Sequence, residues 1–105
     1  MTIDILGTEY EIIKKKMHDE DYDGYCDYTS KKILIRKDNC NNVGNFEQLM
    51  KKQLRHEIIH AFLAESGLQS NFEHCQKFGH EETMVDWIAI QFPKILKVYQ
   101  ELDIL

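Results

Sequence analysis

The chain of 105 residues is 43% apolar and 30% charged, with one proline and five glycines, which suits one folded domain over residues 1–105 and excludes a disordered tail. A net charge of −5 argues against a phosphate-tracking nucleic-acid binder, despite the local strip Lys14, Lys15 and Lys16. No apolar run approaches the roughly 18 residues of a bilayer span, and the opening MTIDILGTEYE lacks the cationic and apolar regions of a secretory signal, so a cytoplasmic protein is expected.

Residues 2–6 and 9–13 alternate in polarity around a turn at Gly7 and Thr8, the pattern of a β-hairpin. Lys14–Lys16 end that pattern, and the acidic segment from His18 to Gly24 reads as a surface loop. Within it Asp19, Asp21, Asp23 and Gly24 spell the opening of a calcium loop. Ser30 stands where that loop needs a bidentate glutamate, so a solvated turn is the better reading. Tyr25–Tyr28 and Ile33–Arg36 read as two further strands joined at Thr29, Ser30 and Lys31, for a sheet of three or four antiparallel strands.

After a loop over residues 38–44, Asn45 can cap a helix with Gln48 at the capping-box position, and Ser66 and Gly67 supply its stop. The apolar stripe Met50, Leu54, Ile58, Ala61 and Phe62 must face the sheet, while Leu49, Gln53, His56, His60 and Leu63 share another face. A polar connector follows. A second helix is expected from near His80, with Met84, Val85, Ile88, Ala89 and Phe92 as its apolar set, ended or kinked by Pro93 and followed by a short helix over Ile95–Leu102. Trp87, Phe92 and Tyr99 are expected in the core.

The first helix carries His56, Glu57 and His60 as H-E-x-x-H. Four residues apart on a helix, the histidines lie one above the other and can aim two imidazoles at one ion. Glu57, offset around the helix, is free to act as a general base on water there. Zinc is the metal this donor set suits, and a catalytic zinc needs a third protein ligand and an open position. Glu82 and Asp86, four apart on the second helix, can provide a carboxylate ligand and a hydrogen-bond acceptor for a ligating imidazole, with Glu81, His80, His74 and Cys75 as rivals for the third position. A metzincin is excluded, because its pattern needs Gly at 63 and His at 66, where Leu63 and Ser66 stand.

H-E-x-x-H followed about twenty residues later by E-x-x-x-D resembles the gluzincin metallopeptidases. A small sheet leading into RHEIIHAFLAESGL and then EETMVDWIAIQFP is similar, more narrowly, to the minimal phage-associated zincins of the ImmA/IrrE and minigluzincin types. The resemblance covers the two helices, about half the chain. It implies a zincin-like α+β fold with a small antiparallel sheet packed on the active-site helix, a second ligand-bearing helix and a short C-terminal helix. It also implies zinc held by His56, His60 and Glu82, with Asp86 behind a ligand and Glu57 as general base in an endopeptidase acting on a peptide or protein. The strand Ile33–Arg36 is expected to present the substrate. Full-size gluzincins use a residue of a second lobe to polarise the substrate carbonyl, and this chain offers Tyr25, Tyr28, His74, His80 or Arg36 instead. The competing expectation is a zinc-binding regulatory or interaction module without turnover, its fourth position closed by Cys75, His74 or His80. Cys26, Cys40 and Cys75, odd in number and without a C-x-x-C pair, read as reduced thiols.

Overall fold

The computed structural model describes residues 1–17, 22–70 and 82–105, except the side chains of Ser70, Glu82, Val85 and Asp86. Four strands, β1 (Thr2–Ile5), β2 (Thr8–Lys15), β3 (Gly24–Asp27) and β4 (Lys32–Arg36), precede helix α1 (Phe46–Glu65), a single 3-10 turn (Leu68–Ser70) and helix α2 (Glu82–Leu102). None of the described helices is long and apolar enough to cross a membrane.

The first hairpin turns on Leu6 and Gly7, both at positive φ (52° and 90°), the two-residue geometry whose twist matches that of its strands. Asp27 builds the second. Its Oδ1 accepts from the Thr29 hydroxyl at 2.6 Å and from the Thr29 and Ser30 amides at 3.0 and 3.3 Å, and its Oδ2 accepts from the Ser30 hydroxyl at 2.7 Å. These donors, the side-chain hydroxyls foremost, hold the Asp27 carboxyl at about 2, below the usual carboxylate range.

The sheet runs β1-β2-β4-β3, and β2 pairs with β4 in parallel, with Ile12 opposite Ile33. The expectation of a wholly antiparallel sheet is therefore corrected to a mixed one. The reason lies in composition: KILIR is buried at every position but Lys32 and takes the interior, whereas GYCD, with a glycine and an aspartate, suits an edge. The second hairpin thus docks with its second strand inward.

On one face, Ile3, Ile5, Tyr10, Ile12, Ile33 and Ile35 meet Leu54, Ile58, Ala61 and Phe62 of α1 and Ile95 and Val98 of α2. The stripe expected on α1 is the one that buries itself, Met50 only in part. The Asn45 side chain accepts from the Gln48 amide at 3.2 Å at the start, and Gly67 (φ 84°) closes the end.

Two expectations for the second helix are corrected. Pro93 lies inside one continuous α2, so there is no separate short C-terminal helix. Proline leaves the carbonyl four residues earlier without its N–H, and Ala89 and Pro93 are both exposed, where water can take that bond. Burial then falls on the C-terminal half: Ile95 and Val98 are in the core, while Ile88 and Phe92 remain 51% and 54% exposed. Trp87 and Tyr99 pack partly against the core as expected, but Phe92 does not.

Tyr99 Oη donates to the Arg55 carbonyl at 3.0 Å, the Arg55 guanidinium donates to the Ile104 carbonyl, and Trp87 Nε1 donates to Ser66 Oγ at 3.0 Å. The two ties from α2 reach α1 in reverse chain order, so the helices are antiparallel.

At the far end of α1, Glu65 Oε2 accepts from Lys31 Nζ at 2.8 Å and from the buried Tyr10 hydroxyl at 2.9 Å. The Lys31 bond is the main cause that lowers the Glu65 carboxyl below its ordinary value, against a smaller opposing effect of burial. Burial first, then Glu65, pushes the Tyr10 hydroxyl up. A carboxyl with a depressed folded-state value contributes stability above its unfolded value and loses it as pH falls toward the folded one. Glu65→Gln should therefore cost about 1 kcal/mol at pH 7 and lose less stability than the wild type on acidification below about pH 4.5, as measured by urea unfolding across pH.

Candidate metal centre

One turn of α1 separates His56 from His60, and both side chains are exposed. Their Nε2 atoms stand 3.2 Å apart, with ring centroids at 4.9 Å and planes at 72°. Zinc–nitrogen bonds of about 2.0–2.1 Å at a tetrahedral angle place two ligand nitrogens about 3.3–3.4 Å apart, so the imidazoles are already spaced for one ion. Glu57 is only 3% exposed, and one ligand atom from each of the three side chains lies within 4.8 Å of the others. His56, Glu57 and His60 form a cluster that could hold a metal ion.

A cleft of about 790 Å³ opens over this cluster, and β3 forms its opposite wall through Gly24, Tyr25 and Cys26. Tyr28 and Gln69 also line it, and none of its described lining residues is a lysine or arginine. Gln53, one turn before Glu57, donates from Nε2 to Glu57 Oε2 at 2.5 Å.

The expected substrate strand is corrected here. Ile33–Arg36 belongs to β4, which is paired on one side with β2 and on the other with β3, so its backbone has no free edge. β3 is the edge strand that borders the cleft. The Arg36 amide donates to the Asp23 carbonyl at 2.8 Å, so by antiparallel alternation Asp23, Tyr25 and Asp27 turn their peptide groups toward β4. Gly24 and Cys26 turn theirs outward.

Of the residues weighed for polarising a carbonyl, Tyr25 and Tyr28 reach the cleft. Arg36 does not line it. It is buried, with its guanidinium donating to Asp23 (3.1 Å), Asp38 (3.5 Å), Cys40 Sγ (3.0 Å) and the Tyr22 carbonyl (2.9 Å), and it ties the chain on either side of the sheet's end together. His74, Cys75, His80 and Glu81, with Asp19 and Asp21 of the calcium-like loop, lie outside the described residues. Asp23 of that loop is taken up by Arg36.

Glu82 opens α2 and Asp86 follows one turn on, their side chains outside the described set. The Trp87 bond to Ser66 sets the early part of α2 near the C-terminal end of α1, where Ser66 is about 9 Å along the helix from His60. Glu82 lies five residues before Trp87, on the side away from Tyr99.

Sequence reasoning missed two parts of the site. The Gln53–Glu57 bond was visible as an i, i+4 pair, but Gln53 read only as one more residue on the histidine face. The edge position of β3 was signalled by the glycine and aspartate of GYCD, and Gly24 also marks a close approach, since a Cβ there would fall 2.7 Å from the Leu34 carbonyl oxygen and 3.3 Å from Gln53 Cγ. Comparison with protein-family models, with curated proteins and with solved structures finds no match.

Cys26 lines the cleft, and burial, followed by the nearby Glu57 charge, pushes its thiol up to about 11. It stays protonated at neutral pH and is a poor nucleophile. Cys40 is exposed. Iodoacetamide at pH 7.5, followed by peptide mass mapping, should alkylate Cys40 about tenfold or more faster than Cys26 in the metal-free protein.

Proposed function

We propose that this chain is a zinc-dependent endopeptidase of the minimal gluzincin kind, acting on a peptide or protein in the cytoplasm. The observation that carries the reading is the pair of imidazole nitrogens 3.2 Å apart beside a buried carboxylate, in a cleft whose far wall is an edge strand. His56 and His60 hold the ion, Glu82 is the third protein ligand, and Asp86 accepts a hydrogen bond from a ligating imidazole. Zinc supplies a Lewis acid and lowers the pKa of water enough to make a nucleophile near neutrality.

The chain's own groups do the rest. An extended peptide pairs with the outward N–H and C=O groups of Gly24 and Cys26, which lays its scissile bond along α1. Glu57 takes a proton from the attacking water as the new C–O bond forms, and hands it to the amide nitrogen as the C–N bond breaks. Tyr25 and Tyr28 are the described hydroxyls available to the substrate carbonyl oxygen.

A second reading, zinc binding without turnover, is favoured by one specific observation. The Trp87–Ser66 tie leaves the start of α2 near the far end of α1, and His56, Glu57 and His60 already converge among themselves. With Glu82 off the ion, Glu57 would become a ligand and cease to be a base. One pair of variants separates the two readings. As an endopeptidase, Glu57→Gln keeps one zinc per chain by elemental analysis and loses cleavage of a quenched-fluorescent peptide library by about 10³-fold or more, while Glu82→Ala loses most of its zinc. As a binding module, Glu57→Gln loses the zinc and Glu82→Ala keeps it. Hydrolysis that survives Glu57→Gln would sink the mechanism.

A further inference from the structure

We propose that Gln53 is a positioning residue for Glu57, fixing which carboxylate oxygen faces the reacting water; this rests on the peptidase reading above. A carboxylate only 3% exposed must have its charge met by hydrogen-bond donors, and the Gln53 side-chain amide meets it at 2.5 Å on Oε2. A glutamate without that bond can rotate its carboxylate plane and swap its oxygens. With Oε2 held, Oε1 is left as the oxygen that receives the proton, and the cost of orienting it is met before substrate arrives.

Gln53 is itself held on two sides. Its place on α1, one turn before Glu57, sets its height, and the edge strand packs close to its stem. A Cβ on Gly24 would lie 3.3 Å from Gln53 Cγ as well as 2.7 Å from the Leu34 carbonyl oxygen, so glycine at that position lets β3 close onto the Gln53 stem. The strand that offers its outer edge to a peptide and the side chain that aims the base are thus one packing unit. A neutral amide also fixes Glu57 without bringing a positive charge next to a metal site.

The test separates donation from mere shape, because methionine is close to glutamine in length, is uncharged and lacks the N–H donor, while glutamate keeps the shape and sets a second carboxylate against Glu57. In the metal-free protein, one Gln53 Nε2 proton should resonate downfield of a free glutamine amide in 15N-correlated spectra, and Glu57→Ala should return it to the free position. In the zinc-loaded protein, Gln53→Glu and Gln53→Met should each lower kcat about 10–100-fold, with KM and zinc affinity changed by less than about threefold. If Gln53→Glu does not fold, Gln53→Met carries the comparison. Wild-type kcat in either folded variant, or a Gln53 amide at the free position in the wild type, would overturn the proposal. A wild type that cleaves no peptide would instead overturn the peptidase reading, and the amide spectrum would still decide whether Gln53 holds Glu57.

Discussion

The close approach of α1 to the sheet at Gly24 is the constraint on which the site depends. Any larger residue there would press into the Leu34 carbonyl oxygen of β4 at 2.7 Å and crowd the Gln53 stem of α1 at 3.3 Å. With glycine, β3 lies against the Gln53 stem, Glu57 is shut in between helix and sheet, and His56 and His60 stand clear on the solvent side. The three side chains of the motif therefore sit in two environments although they share one helix. The imidazoles are accessible to an ion, and the carboxylate is screened and fixed. That division suits a pair of ligands beside a base.

The topology serves the same end. An interior position for Ile33–Arg36 gives the core its best-buried strand, and it pushes the glycine-bearing strand to the edge, where peptide groups of Gly24 and Cys26 face the cleft. Arg36, buried at the end of that interior strand, joins the carbonyl of Tyr22 and the carboxylates of Asp23 and Asp38, so the approach to β3 is anchored by charge-assisted bonds. Stability and the cleft wall are consequences of one strand order.

Much of this was legible in the amino-acid order. The α1 stripe, its Asn45 cap and its Gly67 stop follow local rules of spacing and backbone preference, and the structure follows them. H-E-x-x-H predicts convergent imidazoles because a helix admits little else at that spacing. The strand order was not legible, since the apolar run Ile33–Ile35 says that the strand is buried but not which neighbours it has. Pro93 misled because its cost depends on whether water can reach the freed carbonyl, a tertiary fact. The exposed Ile88 and Phe92 have the same origin: periodicity shows that α2 has an apolar face, not how far along its length the core extends.

The central claim is that His56 and His60 hold a zinc ion with a position left for water. Zinc-edge X-ray absorption of the reconstituted protein tests it most directly. One zinc per chain with two imidazoles and oxygen donors at about 2.0–2.2 Å, and no sulfur, is expected. A scatterer at about 2.3 Å, the mark of a cysteine thiolate closing the site, or a protein that binds no zinc, would contradict it.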